Sequence, residues 1–296
     1  MSGETALGAA VRLTIAMEAA AALAAHIRVS SESLDVDPQV RSLLDDIATE
    51  VAGDASDIGP AGPSIVGMVR AFMRQSAELV ENPGRVGDWD QVDEMVLQGV
   101  GRLSMAIVDG FKAAAQSLAG FGEALSQAGS TFLDVGTGTA WLAIAIARAF
   151  PATHVTGIDI FEPALQLARR NVADEGMAQR VELKVQNALD LDGRETYDAI
   201  WLPIPFMPRA IVPQAAAAAS KALRPGGWLL LGTFAGPGDR LSQLLLDLRA
   251  VRSGGHPWKP EELLDLLATG ELVDAQEVPR TWAAPLRLYA GRRTSS

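Results

Sequence analysis

The stretch that most constrains this chain is Thr131–Ala147, TFLDVGTGTAWLAIAIA. Phe132–Val135 reads as a short apolar strand, Gly136-Thr137-Gly138 as a turn, and Trp141 to about Arg148 as a helix. A strand that ends in a glycine turn and feeds a helix directs backbone N–H groups and a helix N-terminus at one spot, where polar or anionic parts of a ligand bind. The glycines are needed because side chains would block both the turn and the close approach of a ligand. From Thr131 onward, strand-like and helix-like runs alternate, which predicts a parallel sheet covered on both faces.

The second strand is expected at His154–Ile160, with a helix starting at Pro163. Asp159 closes that strand, where an acidic residue takes ribose hydroxyls in nucleotide folds. The third strand is Val181–Val185, followed by Gln186-Asn187-Ala188. The fourth, Ala199–Leu202, runs into Pro203-Ile204-Pro205-Phe206. These prolines preset a stiff apolar wall, to which Trp201 and Phe206 add aromatic surface. Pro213 starts a helix that ends at Leu223, and Pro225-Gly226-Gly227 then turns into a fifth strand through Leu231. The last pair of strands is expected at about Glu271–Val278 and Leu286–Arg292.

A dinucleotide fingerprint would place a third glycine where this chain has Trp141, which is too large to seat a helix on a strand. The pattern Asp134-x-Gly136-x-Gly138-x-Ala140 instead resembles motif I of the class I S-adenosylmethionine-dependent methyltransferases, of the small-molecule, bacterial type. Ala140 stands where the family has its last glycine. Leu223-Arg224-Pro225-Gly226-Gly227 resembles the family's post-motif, and the final strand pair its terminal hairpin, so the likeness covers about residues 126–292. The resemblance implies a Rossmann-like seven-stranded sheet, six strands parallel and one antiparallel, with helices on both faces. It implies S-adenosylmethionine as cofactor, held by Asp134, Gly136, Thr137 and Gly138 at the first strand and by Asp159 and Ile160 at the second. It also implies Asn187 and Ala188 at the adenine edge, and Leu202 and Pro203 where sulfonium and acceptor meet. Asn187 replaces the usual aspartate, and an amide can both donate and accept. Family members that methylate amides or bases carry Asn/Asp-Pro-Pro-Tyr/Phe at the fourth strand. Here the run is Leu-Pro-Ile-Pro-Phe, which lowers the odds of a nucleobase or glutamine acceptor.

Residues 1–125 read as an all-helical domain ahead of a cofactor domain at 126–296. Asp37-Pro38 opens one helix, whose apolar face carries Val40, Leu43, Leu44, Ile47 and Val51. A loop at 53–64, a helix at Ile65–Val80, a polar turn at 86–90 and helical segments from Gln91 to about Gln127 follow. The Ala-rich run Ala6–Ile27, interrupted by Arg12 and Glu18, is expected as a packed helix rather than a leader or membrane span. A cytoplasmic location follows by default. The helical domain reads either as a packing and dimerisation module or as a lid that brings Gln98, Arg102 and Ser104 to the site.

With no cysteine, thiolate chemistry is excluded. Three histidines far apart in sequence argue against a metal centre, and none is expected. His256 is the one candidate for a general base. A net charge of −11 repels phosphate backbones, so the expected partner is a small-molecule acceptor, not nucleic acid, with a homodimer through the N-terminal helices. The function expected is methyl transfer to O, N or C of a small hydrophobic or aromatic metabolite. Two alternatives remain open: a relative of the fold that keeps the cofactor for another reaction or none, and a nicotinamide oxidoreductase, which Trp141 opposes.

Overall fold

The computed structural model describes residues 5–53, 62–85, 87, 93–191, 195–236, 238–269, 271–282 and 284–294. Most of the expected loop at 53–64 and polar turn at 86–90, and the start of the helical run at Gln91, lie outside them. The chain divides into two compact units. One is Met1–Pro83 with Gln98–Leu103, and the other is Gly84–Leu97 with Ser104–Ser296.

The first unit is built on α1 (Ala6–Ser31), α2 (Pro38–Ala52) and α3 (Gly62–Glu81). Asp37 caps α2 as its residue type implies: its carboxylate accepts from the N–H groups of Gln39 at 2.8 Å and Val40 at 3.3 Å, with Pro38 in the first turn. The core here is small, formed by Ala24, Ile27 and Val66. Two expectations are corrected. Most of α1 is not packed; its buried residues are Ala24, Ile27 and Val29, while Leu7, Val11, Leu13, Ile15 and Met17 are exposed. On α2, Val40, Leu43 and Val51 are exposed, and only Ala48 is buried. Periodicity identifies an apolar face but not whether the same chain covers it. Gly67 and Gly99 meet backbone to backbone; a Cβ on Gly99 would lie 2.6 Å from the Gly67 carbonyl oxygen.

The second unit contains the sheet. Its strands are β1 (Ser130–Val135), β2 (Thr153–Asp159), β3 (Val181–Val185), β4 (Tyr197–Pro203), β5 (Leu223–Phe234), β6 (Leu272–Glu277) and β7 (Leu286–Arg293), in the spatial order β3-β2-β1-β4-β5-β7-β6. The pairs among β1–β5 are parallel and β7 is antiparallel to both neighbours, so six strands share one direction, as expected. Side chains alternate between two cores. Phe132, Trp201, Trp228 and Leu230 face one side, and Leu133, Ile200, Leu202, Leu229 and Leu231 the other. The first core takes in α7 (Trp141–Ala149) and α8 (Glu162–Asp174), and the second takes in α9 (Val212–Ala222) and α11 (Pro260–Leu267). These central strands are buried on both faces, which is why they read as continuous apolar runs.

The expected boundary at residue 125 moves. The helices Val108–Ser117 and Phe121–Ser126 belong to the sheet unit, where Phe111, Phe121 and Leu125 are buried in the first core. Phe111 meets Phe132 and Trp201 edge to face at 5.3 and 5.5 Å. The preceding helix, Glu94–Ser104, is shared: Glu94–Leu97 goes with the sheet unit and Gln98–Leu103 with the helical one. The Pro-Gly-Gly turn lies inside β5 rather than before it. Tyr197 pairs with Leu223 and Ala199 with Trp228, so Arg224–Gly227 bulge out, with Gly226 at φ +80°. Arg224 bonds Asp198, whose carboxylate also accepts the Thr131 N–H at 2.7 Å, tying the starts of β1, β4 and β5 together.

Candidate functional site

The strand order reverses between β1 and β4, the place where open α/β sheets bind ligands beyond their carboxyl ends. The glycine turn after β1 lies there. Gly136 and Gly138 have φ +65° and +54°, a region costly for any residue with a Cβ. Ala140 also sits at φ +64°, fully buried at the start of α7. The family glycine at this position is therefore a backbone requirement, which alanine meets under strain. A Cβ on Gly136 would lie 3.3 Å from Cγ of Pro203, so the end of β4 closes directly on the turn.

The turn's N–H groups are largely engaged within the protein. Thr137 N–H donates to the Ile158 carbonyl at 3.0 Å, Gly138 N–H to Asp159 Oδ2 at 2.8 Å, and Ala140 N–H to the Thr137 carbonyl at 2.8 Å. This corrects the expectation that the turn offers them to a ligand. A diphosphate needs a concave set of free N–H donors. Here the first two donors stitch the turn to β2 and the third closes the turn on itself, an arrangement that suits an adenosine ligand without phosphates.

Asp134 is 1% exposed beneath the turn. Its Oδ2 accepts from Thr137 Oγ1 at 2.7 Å, and the Ala143 N–H in the first turn of α7 favours its charged form. Burial pushes its carboxyl up to about 7, opposed by the Thr137 hydrogen bond and reinforced by the Asp159 charge. Its role in the structure is to hold the turn. Thr137 is buried with it, above Gly157, where an added Cβ would lie 2.7 Å from Thr137 Oγ1. Asp159 ends β2; its oxygens accept from Gly138 and Phe161 N–H groups, and burial raises its carboxyl above the usual range. Two acceptor oxygens carry more lone pairs than these bonds use, which leaves capacity for a diol. Ile160 follows, an apolar side chain 70% exposed at the rim. Across β3, Gln186 N–H bonds the Asp159 carbonyl at 3.0 Å, bringing Asn187 and Ala188 alongside. Asn187 is exposed and Ala188 is buried.

At β4 the expectations divide. Pro203 borders Gly136, but Leu202 is fully buried in the second core and offers no side chain to a ligand. Trp201 is a core residue, 2% exposed, and is corrected from the substrate wall. Phe206 remains at the strand end, half-buried, and meets Phe234 at the end of β5 edge to face at 5.6 Å. Sequence reading missed Phe234, because an aromatic residue ending an apolar strand is ordinary in isolation. Gln98 and Arg102 fall in the helical unit and Ser104 in the sheet unit.

His256 is corrected as a base. Its Nε2 bonds Arg209, which donates only, so that nitrogen's lone pair is already engaged. Arg209 also pairs with Glu262 at 2.7 Å and stacks on Trp258, completing a surface cluster. Gly255 beside it packs against the Pro205 carbonyl, so this loop supports the turn after β4.

Residues 132–227 match the methyltransferase domain family. The release factor glutamine methyltransferase of Gloeobacter violaceus is 32% identical over 146 residues, covering 40% of this chain and 51% of that protein. The chain thus spans about half the length of that curated relative. Human N-acetylserotonin methyltransferase, solved in complex with SAM, superposes with TM-score 0.70 at 13% identity over 99% of both chains. An O-methyltransferase family protein from Burkholderia thailandensis gives TM-score 0.67 at 16% identity, covering 99% of this chain and 100% of that one. At these identities the two structures share the fold, including the helical region ahead of the sheet.

Proposed function

We propose that this chain is a class I S-adenosylmethionine-dependent methyltransferase that transfers a methyl group to O, N or C of a small hydrophobic or aromatic metabolite. The observation that carries the reading is the glycine turn between β1 and α7, which lies at the topological switch point and is held to β2 through the Thr137 and Gly138 N–H groups. When bound, the cofactor supplies an electrophilic methyl on a sulfonium. The protein's part is alignment, which in ideal cases contributes about 7–11 kcal/mol. Asp134 and Thr137 fix the turn, Asp159 takes the ribose, and Pro203 sets the distance from turn to acceptor. Phe206 and Phe234 form the apolar side of the acceptor space.

The small-molecule acceptor is favoured over a glutamine or nucleobase by Leu202, which stands at the head of the β4 turn with its side chain in the core. No amide or carboxylate is there to orient a planar nitrogen. The net charge of −11 weighs in the same direction. The test is release of S-adenosylhomocysteine across a panel of hydroxylated aromatic and aliphatic acceptors. Turnover on at least one is expected. Tight cofactor binding with no product on any would support the alternative of a non-methylating relative.

A homodimer through the N-terminal helices is part of the proposal. α1 is apolar over its length and long enough to cross a membrane by length and composition, yet its first two turns and more expose Leu7, Val11, Leu13 and Ile15. A helix this apolar is stable in water when something covers it. Light scattering should give twice the mass of one chain, and Leu13→Glu with Ile15→Glu should give single chains. A monomeric wild type that floats with phosphatidylcholine vesicles would instead make α1 a membrane element.

A further inference from the structure

Among the described residues, exposed large apolar side chains gather on two helices. One is the first half of α1, with Leu7, Val11, Leu13, Ile15 and Met17. The other is α10 (Arg240–Arg252), with Leu241, Leu244, Leu245, Leu248 and Val251. The buried residues of α10, Leu246 and Ala250, lie on its opposite side, so the helix is apolar both where it packs and where it is open. The open face has a defined form. Leu241, Leu244, Leu248 and Val251 follow steps of three, four and three, the repeat that seats a second helix, with Leu245 beside them. A helix apolar on both sides is stable in water when both sides are covered. α10 also touches the short 3₁₀ turn Ile204–Phe206 after β4, so whatever covers it braces the acceptor side of the site.

We infer that the first half of α1 from a second copy of this chain lies along the open face of α10, and that the contact is made twice in the dimer, once by each copy. This rests on the dimer proposed above and goes beyond it by naming the surface that α1 covers. The lengths agree: Leu7–Met17 and Leu241–Val251 are equal stretches, each about 16 Å of helix. The charges agree as well. Asp247 accepts from Gln243 Nε2 at 2.7 Å, and among the described residues no cation pairs with it. Arg12 stands at the middle of Leu7–Met17, so with the two stretches laid side by side in either direction it comes level with Asp247. Two α10 helices laid antiparallel about the middle of the same face would instead set Asp247 beside its own copy, a like-charge contact that opposes self-pairing. The shape of α1 fits the role. Leu7, Val11 and Ile15 share one side of it and Leu13 and Met17 another, so one side can meet α10 while the other meets the N-terminal helices.

The chain has no cysteine, so introduced thiols report one contact at a time. Full-length chains carrying Val11→Cys or Leu13→Cys are co-expressed with longer, tagged chains carrying Leu244→Cys or Leu248→Cys, and treated with a short bis-maleimide. A product of mixed length is expected on a denaturing gel in at least one of the four combinations. Products of two tagged chains with no mixed product would mean that α10 pairs with itself, and would overturn the inference. Leu244→Glu with Leu248→Glu should halve the mass found by light scattering while the melting temperature holds, because these side chains face solvent within one chain. An unchanged mass in that variant would also overturn the inference, and if the variant fails to fold, the cross-linking decides alone. No mixed product in any combination, with the wild type a dimer, would remove α10 as the seat of α1 and leave the dimer standing. A monomeric wild type would remove the dimer itself. Flotation of the wild type with phosphatidylcholine vesicles, abolished by Leu244→Glu with Leu248→Glu, would give this face to lipid and overturn the inference.

Discussion

Ala140 is the residue where local strain is clearest. A left-handed non-glycine costs about 1–2 kcal/mol, whereas glycine in a regular segment costs about 0.5–1 kcal/mol relative to alanine. Ala140→Gly, at φ +64°, is therefore expected to be neutral or slightly stabilising in urea denaturation. Ala143→Gly, inside α7, should lose about 1 kcal/mol or more. Equal losses at both positions would remove the strain. Asp134 gives a pH dependence. Its carboxyl is raised from the usual value of 3.8 to about 7 by burial. The native state thus keeps a proton that the unfolded chain releases. Stability from this group is present below about pH 4 and is lost as pH rises toward 7. Asp134→Asn keeps an acceptor for Thr137, so its melting temperature should exceed the wild type's by a margin that grows from pH 4 to pH 8. A margin independent of pH would contradict the buried-charge account. Binding of a cationic cofactor should strengthen over the upper part of the same range, because the anionic form is the one that attracts it.

Among the elements, β4 and β5 meet at a contact without slack. A Cβ on Gly232 would lie 1.8 Å from Cη2 of Trp201, so Gly232→Ala should destabilise by about 3 kcal/mol or more, and Trp201→Leu in the same chain should recover part of it. Additive losses in a double-mutant cycle would show that the ring is not the obstacle. The loop that carries Gly255 supports the turn that follows the same end of β4. Gly255→Ala should disturb the turn after Pro203 and raise KM for an acceptor while cofactor affinity holds, measured by steady-state kinetics beside calorimetry. The strands themselves were legible because β1, β4 and β5 are buried on both faces and bounded by Gly, Pro or Asp. The Asp37 cap on α2 was legible for the same kind of reason, being set within a few residues. The bulge inside β5 was not, since the Pro225-Gly226-Gly227 signature is the same whether the chain turns before a strand or out of one. Nor was the Phe206–Phe234 pair, which joins strand ends far apart in sequence.

For the whole molecule, the sequence identified the parallel sheet, its single reversed strand and the helical region ahead of it. It misplaced the division between units because Phe111 and Phe121 look like any helical core residue until their neighbour, the sheet, is known. It assigned α1 to a packed core on composition, although most of that helix has no cover in one chain. The glycine turn at Asp134 and Gly136 and the strand end at Asp159 were readable from spacing. Their hydrogen bonds were not, and these turn the motif from a donor cradle into a turn stitched to β2. The central claim is that this turn seats S-adenosylmethionine. Calorimetric titration of the folded chain with S-adenosylhomocysteine tests it most directly, run beside a Gly136→Val variant whose melting confirms that it folds. One site per chain in the wild type and none in the variant is the expected result; no binding by the wild type, or equal affinity in both, would contradict it.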